Sequence, residues 1–302
     1  MGAPSTFTPI PFRAAAPGEG YFDDDSPIRV VNRELIVAFS GARALLLQAA
    51  HPVMFEGFYD RTTGLEDPHG RLARTATVMN TIYFGRREDA DFQTERVRRV
   101  HSRIRGELPE DAGHFPAGTP YAADDPQYLL WTLAPLFESA DLIYRLYVGA
   151  LDRDARDALW QDYRVVGRLF GLKDDEMPRT IEDFDAYYAG VFASGDLWVT
   201  PRAAELGKAV VFNPPAPIYM RWLVEAVNFV VIGSLPANIR RGYGLSWDPA
   251  REVMRRGGAE YVKRVLLPLL PTMIRNTPVA GGRLLPGPPR AEDDGPPLRA
   301  AA

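Results

Sequence analysis

Histidine is scarce in this 302-residue chain: only His51, His69, His101 and His114 occur, and there is no cysteine. Disulfides, thiolate zinc sites, iron–sulfur clusters, thiolate-ligated haem and covalent Cys-x-x-Cys-His haem attachment are therefore excluded. A metal here has to be held by His, carboxylate, Tyr or Met. His101 stands out because Val97, Val100 and Ile104 flank it at helical spacing, which places its imidazole on the apolar face of a helix. Two readings fit that placement. The plainer is a core histidine hydrogen-bonded to a carbonyl. The sharper is an axial ligand, since imidazole is the common protein ligand of haem iron.

A second group is Arg71, Arg74 and Thr75, which share a helix face at spacings of three and four. Two guanidiniums and a hydroxyl near a helix N-terminus suit a propionate, a phosphate or dioxygen. The alternative is a solvated helix whose arginines pair with Glu66 or Asp67. His51 closes an apolar run ahead of Pro52, where a histidine satisfies terminal carbonyls or serves as a ligand. Glu56 is the nearest carboxylate that suits a base, or else a structural one. His69 and His114 fall in Gly/Pro-rich stretches and read as exposed. There is no H-E-x-x-H and no Walker-type glycine loop. No glutamate has a histidine three residues on, so a diiron bundle is excluded.

The elements that must position these groups are helical. Apolar periodicity predicts a helix over 26–50, a second after Pro68 ending at Gly85 with Leu72, Ala76, Met79 and Tyr83 on one face, and a third over 88–105. The third has Val97, Val100, Ile104 and Leu108 as its inward stripe. A Gly/Pro-rich loop spans 109–123. Asp125-Pro126 opens a long apolar helix to Tyr147. Asp152 caps a helix reaching Phe170, and Thr180 with Asp183 makes a capping-box start. Further helices follow Pro201 and Pro217, and a last one runs from Asp248 to Arg275. No run alternates with period two. The reading is all-α: one multi-helix domain over 21–280, with Pro/Gly-rich tails at 1–20 and 281–302.

Composition is that of an ordinary globular protein, 46% hydrophobic and 25% charged. A formal charge of −4 and a pI near 5.7 offer no footprint for nucleic acid. The N-terminus lacks a basic region followed by an apolar run, and the most apolar stretch, Trp222 to Leu235, is too short to cross a bilayer. A cytoplasmic location without a transmembrane segment is expected.

Taken in order, several segments resemble one family. Gly41-Ala42-Arg43-Ala44-Leu45-Leu46-Leu47-Gln48-Ala49-Ala50-His51-Pro52 leads to Asp67-Pro68-His69-Gly70-Arg71-Leu72-Ala73-Arg74-Thr75. Phe84-Gly85, Val97-Arg98-Arg99-Val100-His101 and Pro120-Tyr121-Ala122-Ala123-Asp124-Asp125-Pro126 follow. Over roughly residues 28–245 this resembles the catalytic domain shared by bacterial latex-clearing rubber oxygenases and the MpaB-type oxygenases of fungal mycophenolic acid biosynthesis.

The resemblance implies an all-helical fold enclosing a b-type haem, His101 as the metal ligand, and Arg71 and Thr75 as the hallmark pair beside the cofactor. It implies an oxygenase that cleaves a carbon–carbon double bond of an isoprenoid-like chain with dioxygen. The family can carry a distal lysine just before the threonine. Arg74 stands there, and the only lysines are Lys173, Lys208 and Lys263. A guanidinium stays protonated and makes a poor ligand, so an open or water-occupied distal side is expected. The missing secretion signal points away from rubber toward a small apolar alkene or natural-product intermediate, with the helix from Gln127 to Tyr147 lining its channel. A haem-binding sensor or carrier without catalysis is the competing function, and a metal-free helical binding protein is the third.

Overall fold

The computed structural model describes residues 12–59, 68–212 and 217–277. It is helical almost throughout: α1 (Pro27–Asn32), α2 (Ser40–Ala49), α3 (Pro52–Tyr59), α4 (Pro68–Phe84), α5 (Arg87–His101), α6 (Pro126–Tyr147) and α7 (Arg153–Phe170) make up the first part. α8 (Ile181–Ser194), α9 (Pro201–Phe212), α10 (Arg221–Ser234), α11 (Ala237–Gly242), α12 (Pro249–Tyr261), α13 (Leu267–Leu269) and α14 (Thr272–Arg275) follow. The all-α reading holds. The one addition is a short antiparallel ribbon of β1 (Arg105–Glu107) and β2 (Pro120–Ala122), which closes the 109–119 loop at its base.

α6 is the axis of the core. Its side chains are buried on nearly every side, among them Trp131, Phe137 and Ile143. It is therefore packed centre more than the wall of an open channel. Phe137 sits edge-on to Trp160 of α7 at 5.1 Å and to Phe184 of α8 at 4.6 Å. α7 also collects α1, whose Ile28 N–H donates to Asp162 at 3.0 Å, and α4, whose Tyr83 meets Tyr163. The predicted caps form: Asp125, Asp152, Thr180 and Asp248 each accept a backbone N–H from the first turn that follows.

Several sequence expectations change. The single helix expected over 26–50 is broken into α1, a 3-10 turn (Leu35–Phe39) and α2, with Glu34 extended between them. The break follows from a tertiary demand. Glu34 is 3% exposed, and both its oxygens accept from Arg275 at 2.7 Å, while Thr277 N–H donates to the Arg33 carbonyl. The last helix is also interrupted. Pro268 and Pro271 cannot donate into an α-helical ladder, so a π turn (Val262–Leu266) precedes α13 and an extended Leu270 precedes α14. α3 was not foreseen. Residues 12–20 are held against α4 and α5 by Arg13 pairing with Asp89 and by Ala15 N–H donating to Phe84.

The α2–α6 packing is locked by one buried cation. Arg43 of α2 is 2% exposed and donates to Glu138, to Ser139 Oγ at 2.6 Å and to the Ser234 carbonyl at 3.1 Å. Tyr188 donates to the same Glu138 at 3.1 Å. Removing the cation strands a nearly buried carboxylate, so Arg43→Ala should lower unfolding free energy by about 3–5 kcal/mol, measured by denaturant titration. A loss below about 1 kcal/mol would show that Glu138 finds water instead.

Candidate functional site

α5 is built to present its last residue. Glu88 and Asp89 occupy its first turn and Arg98, Arg99 and His101 its last, which complements the helix dipole at both ends. The inward face is Ala90, Thr94, Val97 and His101, spaced by three and four. The stripe expected from sequence is thus corrected in one member: Val100, on the last turn of α5, is 56% exposed, although Gln93, seven residues before it on the same side of the helix, is buried. His101 itself is half-buried, with Nδ1 closed off from solvent. Beyond it the chain turns, Ile104 N–H donating to the His101 carbonyl at 3.0 Å, and enters β1.

Ile104 joins an apolar cluster with Val53 and Met54 of α3, Phe115 of the loop, Tyr121 of β2 and Tyr128 of α6. On the other side of that cluster lies His51, whose ring is 5.4 Å from both Phe115 and Tyr128. The two histidine-bearing segments therefore converge on one apolar wall. Thr132 strengthens the join: its hydroxyl donates to the Tyr128 carbonyl at 2.7 Å and lies 3.4 Å from Met54 Sδ, and Gln48 donates to the Thr132 carbonyl at 2.6 Å.

His51 does not satisfy the carbonyls at the end of α2, as its position suggested. It precedes Pro52 at the start of α3, and its Nδ1 accepts the Met54 N–H at 3.5 Å. A proline at the first helical position marks the residue before it as an N-cap, and that signal was available in the sequence. Accepting at Nδ1 puts the proton on Nε2. Burial pulls the pKa of His51 from 6.5 down to about 4; Asp196 opposes the fall and His114 adds to it. His114, half-exposed, pairs with Asp196 at 3.2 Å. One turn into α3, Glu56 is 7% exposed, with Arg202 Nη1 at 3.5 Å from its oxygens.

The remaining sequence candidates lie along the first half of α4. Arg74 is half-buried and Thr75 is exposed, and the side chain of Arg71 lies outside the described residues. The helix that carries this group, α4, packs on α5, which carries His101. Ala76, expected inward, is exposed; burial on α4 begins at Val78. His69 belongs by its backbone to α4 and not to a loop, and its side chain is not described. Sequence reasoning passed over Trp131, one turn beyond Tyr128. It is 2% exposed, and its indole N–H has no acceptor among the described residues.

His51 and the end of α5 at His101 thus approach one apolar cluster, with the buried carboxylate of Glu56 one turn further along α3. The chain belongs to the family described as ER-bound oxygenase mpaB/B'/rubber oxygenase, catalytic domain, which it matches over residues 28–264. Its members' shared domain is an oxygenase domain, and the match spans α1 to the π turn. Neither the curated proteins nor the solved structures gave a match.

The His51 cap has a pH signature. Between pH 6.5 and about 4 the unfolded chain binds a proton at this position and the folded chain does not, so stability falls as pH drops through that window. The full contribution is roughly 3 kcal/mol, present above pH 6.5. His51→Asn keeps a capping acceptor but cannot titrate. Chemical denaturation from pH 7 to pH 4 should show a smaller loss for this variant than for wild type. Parallel losses would disprove the linkage.

Proposed function

We propose that this protein is a haem b-dependent oxygenase acting on a small apolar, isoprenoid-like alkene or natural-product intermediate with dioxygen, His101 being the iron ligand. The observation that carries the reading is the place of His101 within an oxygenase domain: inward on the last turn of α5, its Nδ1 shielded from water, next to the apolar cluster at Ile104. The donor chemistry fits. Among the described residues no three His, Cys, Asp or Glu side chains gather as a metal site. A porphyrin would bring four nitrogens of its own and would need one imidazole from the protein, which His101 would supply.

The bound haem would supply the redox chemistry with dioxygen, and the protein the positioning. Arg71 would meet a propionate with its planar fork and Thr75 would add a hydroxyl nearby, while Arg74, always protonated, contributes charge without binding iron. The cluster of Val53, Met54, Phe115, Tyr121 and Tyr128 supplies an apolar wall for the substrate. Neutral His51, just ahead of α3, would offer a hydrogen-bond donor through Nε2, while Glu56 on α3 pairs with Arg202. The reading keeps the protein in the cytoplasm, with its folded unit over 21–280.

The test is the absorption spectrum of protein expressed with haem precursor, followed by dithionite and carbon monoxide. A Soret band that shifts on reduction and again with carbon monoxide is expected, reporting an accessible distal side. His101→Ala should lose the band while keeping the wild-type circular dichroism spectrum. Normal haem content in that variant would overturn the assignment. Haem without dioxygen consumption in the presence of any alkene would favour a sensor or carrier.

A further inference from the structure

The outer helix of the C-terminal part carries its apolar residues on the wrong side for a soluble surface. From Pro249 to Leu269, α12, the π turn and α13 run on from one another. Ala259 and Leu267 point inward and are buried. Outward, Val253, Met254, Tyr261 and Leu269 are 71%, 65%, 59% and 77% exposed. Gly257 and Gly258 add no side chain there, and each looks into open space.

A second exposed apolar set sits on the neighbouring helix. α10 and α12 pack together, and Gly233 lets Trp247 and Arg255 approach so closely that a Cβ would lie 2.5 Å and 2.6 Å from them. At the start of α10 and in the 3-10 turn before it (Ile218–Met220), Ile218, Tyr219 and Trp222 are 80%, 72% and 72% exposed, with exposed Arg221 among them. Lone exposed apolar residues need no explanation, but two such sets on helices that pack together suit an interaction surface.

Charge decides the occupant. Residues 218–275 hold nine Lys and Arg against four Asp and Glu, within a chain whose formal charge is −4. Exposed Arg251, Arg256 and Arg264 lie along the same segment, each paired with an acid next to it (Asp248, Glu252 and Glu260), and exposed Arg221 and Arg241 add charge beyond those pairs. We propose that this face docks on the surface of an anionic phospholipid bilayer. Aliphatic and amphipathic aromatic side chains with arginines along the edge suit the headgroup–acyl boundary. A second copy is disfavoured, because a two-fold contact would set one basic region against another. The contact lies on the bilayer rather than through it, since no helix among the described residues is long and apolar enough to cross. The inference needs no cofactor and stands apart from the haem reading.

Flotation of the full chain with vesicles tests it. Binding is expected to vesicles of phosphatidylcholine mixed with phosphatidylglycerol, to be weak with phosphatidylcholine alone, and to be released by high salt. The pair Arg256→Glu and Arg264→Glu should cut partitioning at least about tenfold. Ile218→Ser with Trp222→Ser should cut it by a similar factor, roughly tenfold. All four positions are exposed, and the Arg256–Glu252 and Arg264–Glu260 pairs are surface ion pairs of small worth, so both variants should fold, with melting temperatures within a few degrees of wild type. Three results would overturn the proposal: no flotation with anionic vesicles, flotation indifferent to both pairs, or a dimer in sedimentation velocity that Ile218→Ser with Trp222→Ser dissociates.

Discussion

Arg43 places a permanent charge where water barely reaches, and a charge so placed has to be surrounded by acceptors. Those acceptors come from distant parts of the chain: Glu138 and Ser139 from α6 and the Ser234 carbonyl from the end of α10. Tyr188 of α8 completes the group through Glu138; burial and the adjacent carboxylate raise its hydroxyl pKa, so it serves as a donor. One guanidinium therefore fixes the relative placement of four helices that greasy packing alone would leave free to slide. Its contribution is to register more than to net stability, because the cost of desolvating the two charges offsets much of their attraction.

The geometry of the candidate site follows from that register. With α2 pinned on α6, the end of α2 brings Gln48 to the Thr132 carbonyl, and the Ala50 carbonyl to the N–H of Trp198 at 2.8 Å. The chain then turns sharply at His51 and starts α3, so that Val53 and Met54 face Tyr128. From the opposite direction, α5 ends at His101 and the ribbon returns Tyr121 to the same cluster. The proposed apolar substrate would use such a wall, because dioxygen and an alkene offer few hydrogen bonds and are held by shape and exclusion of water.

Much of this was legible from residue patterns. Aspartate or threonine ahead of an apolar run located four helix starts, because a side-chain oxygen there satisfies an N–H that the helix cannot. The family resemblance was legible too, as the match over residues 28–264 bears out. What stayed hidden was set by contacts distant in sequence. Glu34 breaks the predicted first helix to meet Arg275, a partner 241 residues away. Val100 satisfied helical periodicity, yet it is exposed at the last turn of α5, two turns beyond Gln93, which is buried against Thr81. The three-residue strands of the ribbon are too short for alternation to register. His51 was read as an ending when it is also a beginning, since no gap separates α2 from α3.

The clasp between Glu34 and Arg275 bears on how the chain comes off the ribosome. Synthesis at roughly 5–20 residues per second separates the two groups by about ten to fifty seconds. For that interval Glu34, destined for a site almost closed to water, has no arginine to receive it. The start of the domain cannot settle into its final burial until the last helix has been made. A nascent chain of this protein stays open at its first segment, and so within reach of chaperones, until translation of the domain is nearly complete.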